Sequence, residues 1–172
     1  MVRSTARKAS AVIVAGLVVG LVSGLALGVV WWRLAPRVPV VVQPGASFPQ
    51  GYQPEGYLAA DAAFGVLAVI AGIAITIGLA NMRREHLFSV LIAALLSSVV
   101  GTAAMWFVGT RLGSVDIEGL SATTTTDVVV DAPLKVAMPG MFLMWSVASA
   151  FVVTVLALSD WIVEVRAARR GR

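Results

Sequence analysis

The chain has 172 residues, 59% of them hydrophobic and only 13% charged, with a formal net charge of +4. Soluble domains average roughly half apolar and a quarter charged residues, so this composition excludes an ordinary soluble domain and points to an integral membrane protein. There is no cysteine and a single histidine, His86, which removes disulfides, thiol chemistry and any Cys or multi-His metal site; no metal and no cofactor is expected.

The first apolar run, residues 11–32, is uncharged and carries Gly16, Gly20, Gly24 and Gly28 at every fourth position. About 22 residues rising roughly 1.5 Å each cover about 33 Å, enough for a hydrocarbon core of about 30 Å. Residues four apart drift slowly around a helix, so the glycines form a flank without side chains, a glycine zipper on which another helix can pack closely. Whether that helix belongs to the same chain or to a second copy is left open by the packing rule. Arg3, Arg7 and Lys8 precede the run as in a signal peptide, but the run is longer than an h-region of about 7–15 residues, and an uncleaved first helix is expected.

Further runs at about 58–80, 87–109 and 137–159 are each long enough to span, and Asp61 is the one charge inside any of them. The expected fold is all-α, a four-helix transmembrane bundle forming one domain over 1–172. Arg3, Arg7, Lys8, Arg83, Arg84, Arg166, Arg169, Arg170 and Arg172 fall on one side, and Arg33, Arg37, Arg111 and Lys135 on the other. The positive-inside rule then puts both termini in the cytoplasm of a bacterial inner membrane. The basic residues flank apolar runs rather than forming a patch interleaved with aromatics, so nucleic acid is not an expected partner. Trp31 and Trp32 at one face, with Trp161 at the other, suit the interfacial belts. The tail, 160–172, reads as a helical extension whose arginines attract anionic lipid at about 1 kcal/mol each.

The two long connections, 33–57 and 110–136, fall together outside. The first holds Pro36, Pro39, Pro44, Pro49 and Pro54, which exclude helix and favour extended or turn backbone. Val38–Gln43 reads as a short strand, restricted by its prolines to a sheet edge. In the second, Thr124–Asp131 reads as a strand from its β-branched content. Val38–Gln43 and Val128–Lys135 are expected to pair or lie close over the outer helix ends as a small extracytoplasmic β cap, because either alone is marginal. No internal repeat is evident, which gives no support to an inverted-repeat transporter.

In WWRLAPRVPVV (31–41), DAAFGVLA (61–68) and DAPL (131–134) the chain resembles an actinobacterial family of four-helix membrane proteins catalogued as a domain of unknown function. The resemblance covers most of the chain except the Pro- and Gly-rich insert at 43–56. It implies four spans and an outer loop domain in the envelope of a high-GC Gram-positive bacterium, and brings no reaction or ligand with it.

Asp61 shares a small-residue stripe with Gly65, Ala68 and Gly72. A carboxylate at that depth is a candidate proton relay or headgroup contact by default; the preferred reading is a structural ion pair with Arg33, Arg37 or Arg111 near a helix N-terminus. Together with Glu55 and Asp131 these residues are a candidate polar cluster for a phosphate or sugar headgroup, or a set of mutual salt bridges. Enzyme signatures are missing: there is no HExxH, GxSxG or P-loop, and no span supplies a His or Lys to activate Ser97, Ser98 or Thr102, which are assigned to interhelical hydrogen bonds. The expectation is a non-enzymatic envelope protein acting as an accessory or scaffold subunit, with membrane lipids, a membrane-protein partner or further copies of itself as partners. The alternative is lipid or small-solute binding or transport through Asp61 and the outer arginines.

Overall fold

The computed structural model describes residues 2–50, 54–82 and 87–170, with side chains from residue 10 onward except that of Pro54. Arg83, Arg84, Glu85 and His86 of the expected basic turn, Arg172, and the side chains of Arg3, Arg7 and Lys8 lie outside the described residues. In chain order the elements are α1 (Val2–Leu34), β1 (Pro39–Gln43), β2 (Ala46–Pro49), α2 (Pro54–Met82), α3 (Leu87–Leu112), α4 (Ile117–Thr123), β3 (Val128–Asp131), a 3-10 turn (Pro139–Leu143) and α5 (Met144–Arg170). Helices α1, α2, α3 and α5 are each long and apolar enough to cross a membrane.

The tightest seam joins α1 to α3. A Cβ on Gly16 would lie 3.0 Å from the Ala93 carbonyl oxygen, one on Gly20 2.5 Å from that of Ser97, and one on Gly28 2.8 Å from that of Met105, while one on Gly24 would enter the backbone of Gly101. The partners advance in step along both chains, so the two helices run parallel, backbone against backbone. Helices α2 and α5 repeat the arrangement with larger side chains, Gly65 facing Met141 and Met144, and Gly72 facing Trp145 and Ala148. Asp61, Gly65, Ala68 and Gly72 are all buried on that side of α2. Each half of the chain is therefore a helix, a connection carrying strand, and a second helix, with like helices packed in parallel.

Glycines elsewhere make room for indoles. Gly109 faces the ring of Trp31, and Gly101 that of Trp145; both indoles are fully buried. Trp31 therefore does not present its ring outward as a belt residue does: it lies inside the bundle with its Nε1–H donating to the Ala60 carbonyl at 2.9 Å. Its ring meets Phe64 edge-on with centroids 4.9 Å apart, and Phe64 meets Phe142 at 5.6 Å. Trp32 is half-buried, and Trp161 on α5 is exposed as expected of a belt residue.

The cap is a three-stranded antiparallel sheet in the order β2-β1-β3. The first and second connections pair as expected, in an antiparallel register that sets Val40 opposite Val130 and Val42 opposite Val128. Two details differ. Residues 39–43 form the central strand instead of an edge, because Pro39 occupies its first position, where a missing N–H breaks little of the ladder, and the carbonyl of Pro39 still accepts from the Gln50 N–H. The third strand, β2, comes from the insert, which turns back at Pro44 and Gly45; Gly45 has φ +78°, a region open to glycine and strained for L side chains.

Thr124–Asp127 and Ala132–Lys135, expected in the strand, lie outside it. Thr123 and Thr124 are taken up in ending α4: the Thr123 hydroxyl donates to Gly119 O, the Thr124 N–H to Leu120 O, and the Thr124 hydroxyl to Thr126 O. Such local side-chain bonds compete with a ladder. Pro133 lacks a donor for any continuation, and Leu134 N–H instead donates to Gly113 O at the end of α3. Helix α4 itself, unforeseen in the second connection, is capped by Asp116, whose carboxylate accepts from Gly119 N–H. It covers the inner face of the sheet, where Val38, Val40, Val42 and Ala132 pack with Tyr57, Ile117 and Leu120. The fourth apolar run differs at its start, where α-helix begins only at Met144, after the 3-10 turn; at its other end the helix continues to Arg170, as expected of the tail.

Candidate functional site

The charged residues singled out in the apolar runs and the two long connections do not form one site: Asp61 stands in one group and Arg33, Arg37 and Asp131 in another. The first is built around Asp61, two turns into α2 and fully buried. Its Oδ1 accepts from Ala137 N–H at 3.0 Å, and its Oδ2 from Ala137 N–H at 3.1 Å and Met138 N–H at 2.7 Å. These amides open the lead into α5, directly before Pro139, which has no N–H of its own. The carboxylate thus caps the start of another element from the side of α2, using the preference of helix starts for negative charge and side-chain acceptors. The expected ion pair with an arginine is replaced by backbone amides.

The second group is a recess of about 340 Å³ at the C-terminal end of α1, lined by Trp32, Arg33, Ala35, Arg37 and Asp131. Arg33 lies over the Trp32 ring, 4.9 Å from its centroid, and Arg37 Nη2 donates to the Trp32 carbonyl at 3.3 Å. Asp131 reaches the recess because it closes β3 opposite Pro39. Arg111 stands outside this group, its guanidinium 5.2 Å from the Phe107 ring. Glu55 is exposed on the first turn of α2. The five-residue cluster of Asp61, Arg33, Arg37, Arg111 and Asp131 is therefore not one site: Arg33, Arg37 and Asp131 come together and the other two do not.

Comparison with protein-family models, with curated proteins and with solved structures finds no match. Function has to be read from these groups alone.

Of the hydroxyls in α3, Ser98 alone makes the interhelical bond expected of all three. Its oxygen is 2.7 Å from that of Ser146 on α5 and also 2.7 Å from the Leu95 carbonyl, so Ser98 donates within its helix and accepts across. Ser97 and Thr102 are buried without a hydrogen-bond partner, Ser97 close against Gly20 of α1. Sequence reading missed the outer face of the sheet. Opposite residues on antiparallel strands share a face, so Phe48, Val41 and Val129 form one row across β2, β1 and β3. Phe48 is 57% and Val129 55% exposed, a density of apolar surface not needed for folding. The alternation in Val38–Gln43 contained this signal, since its inward valines imply an outward Val41.

Proposed function

We propose that the chain is a multi-pass, non-enzymatic membrane protein of the bacterial envelope that serves as an accessory or scaffold subunit, meeting its partner through the outer face of the cap. The distribution of Lys and Arg supports an orientation with both termini in the cytoplasm and the cap outside. The observation that carries the reading is the row Phe48, Val41, Val129: an exposed apolar strip on a sheet whose other face is filled by α4 and tied to the bundle. The strip lies on a sheet packed from behind, so a partner meets a preorganised surface and loses little entropy in ordering it.

Two further features support a contact role. The glycine flank of α1 is occupied by α3 of the same chain, so a glycine zipper between copies is not needed to satisfy it. Asp61, the ionisable group of α2 that a proton relay would need, has both oxygens engaged by amides.

The test is isolation of tagged protein from its native membrane in polymer-bounded lipid discs, beside Phe48→Asp and Val129→Asp. A stoichiometric protein partner that both substitutions remove, with thermal stability changed by no more than about 0.5 kcal/mol as for surface sites, supports the proposal. Wild-type protein that emerges alone, or a partner retained by both variants, overturns it.

A further inference from the structure

The recess at the end of α1 suits a ligand of mixed charge. Arg33 and Arg37 bring two guanidinium groups to one wall, and both are held by Trp32, Arg33 by its ring and Arg37 by its carbonyl, which leaves most of their donors open. Guanidinium forks match the oxygens of a phosphate, and donors fixed beforehand lose less freedom on binding. The third charge is of opposite sign: Asp131 is exposed at the rim, and its carboxylate has no hydrogen-bond or ion-pair partner among the described residues. A simple anion meets repulsion from Asp131 and from the C-terminal end of α1, whose dipole favours positive charge. A molecule with a phosphate and a neighbouring ammonium satisfies both walls.

The position selects the source of that molecule. The recess begins where the apolar stretch Ser10–Leu34 stops, at the level where a spanning helix leaves the hydrocarbon for the headgroups. Trp32 is half-buried beneath it, the side chain that most often occupies that level. We propose that this recess binds the headgroup of an aminophospholipid, its phosphate on Arg33 and Arg37 and its primary ammonium on Asp131. The proposal does not rest on the contact row of the sheet, although Asp131 lies on the same face of β3 as Val129, two residues away, and Asp61 and Arg111 take no part in the site.

The experiment reconstitutes the protein in discs of phosphatidylcholine with equal added amounts of phosphatidylethanolamine and phosphatidylglycerol, releases it, and counts retained lipids by native mass spectrometry. Wild-type protein is expected to keep phosphatidylethanolamine. The Arg33→Gln, Arg37→Gln double variant should keep about tenfold less, the factor corresponding to loss of about 1.4 kcal/mol. Asp131→Asn should move the preference towards phosphatidylglycerol, and Arg111→Gln should change nothing. Arg33 is exposed, so Arg33→Gln alone gives the same direction of change if the double variant fails to fold. Equal retention in wild type and in the arginine variants overturns the proposal, as does a wild-type preference for phosphatidylglycerol. So does calorimetric binding of inorganic phosphate by a protein that retains no lipid.

Discussion

Replacing Asp61 separates a structural carboxylate from a working one. The side chain accepts three hydrogen bonds from two amides, with Met138 N–H at 2.7 Å the shortest. Hydrogen bonds to a charged group contribute about 1.5–3 kcal/mol, and a buried donor left without a partner costs about 1–3 kcal/mol. Ala137 and Met138 are both exposed residues, so their freed N–H groups are not sealed in the core, and Asp61→Ala is expected to cost about 3 kcal/mol, towards the lower end for two such donors. Asp61→Asn keeps the shape but supplies one acceptor oxygen and turns an NH2 group towards the second N–H, so it should cost about 2 kcal/mol. The assay is reversible unfolding in mixed micelles, joined to hydrogen exchange at Ala137 and Met138, where both variants should exchange faster. Combining Asp61→Asn with Arg37→Gln in a double-mutant cycle should give additive losses, since Arg37 belongs to the other group. An Asp61→Asn protein within 0.5 kcal/mol of wild type, or a coupling above about 1 kcal/mol with Arg37, would refute the capping assignment.

Gly24→Val should separate α1 from α3 and lower stability by about 3 kcal/mol or prevent folding, because its Cβ meets Gly101 backbone. Gly78→Ala, on an exposed part of α2 where an added Cβ meets nothing, should be neutral or stabilise by up to about 1 kcal/mol in the same unfolding assay. Trp31→Phe retains an aromatic ring beside Phe64 but leaves the Ala60 carbonyl without the indole N–H, and is expected to cost about 1–2 kcal/mol, with loss of the buried indole signal in near-UV circular dichroism. Gly45→Ala places an L side chain at φ +78° and should cost about 1–2 kcal/mol, read as faster amide exchange in β1 and β2 with α1 and α3 unaffected.

The four long helices were legible because bilayer length and apolar composition leave few other solutions, and the β1–β3 pairing because valines alternating between prolines have one obvious use. What could not be read were features set by contact between distant segments. Trp31 resembles a belt residue until Gly109, 78 positions later, is seen to leave space for its ring. Asp61 looks like half of an ion pair because charge pairs are visible in sequence, whereas the orphan amides of Ala137 and Met138 are not. Pro139 was the available clue, since a proline opening a helical stretch leaves the donors ahead of it seeking an acceptor. The threonines of 123–126 follow the same logic, their β-branched shape arguing for strand and their hydroxyls for the local bonds that end α4.

The two groups at the cap end share an origin in consecutive residues of α2. Ala60 accepts the indole N–H of Trp31 and so receives α1, while Asp61, next in the chain, holds the lead into α5. Helix α1 is in turn fixed against α3 by its glycines, and the end of α3 carries Gly113, whose carbonyl takes the Leu134 N–H of the segment leaving β3. Every helix long enough to span is thus tied to a neighbouring element near the cap by a hydrogen bond or a backbone contact. The connections of β1 and β3 are anchored at both ends, which is how a sheet of strands only four or five residues long is supported. It also accounts for the place of the charged recess: Trp31 is drawn into the bundle, so Trp32, its neighbour on the helix, turns towards the outside and carries Arg33 and Arg37 with it.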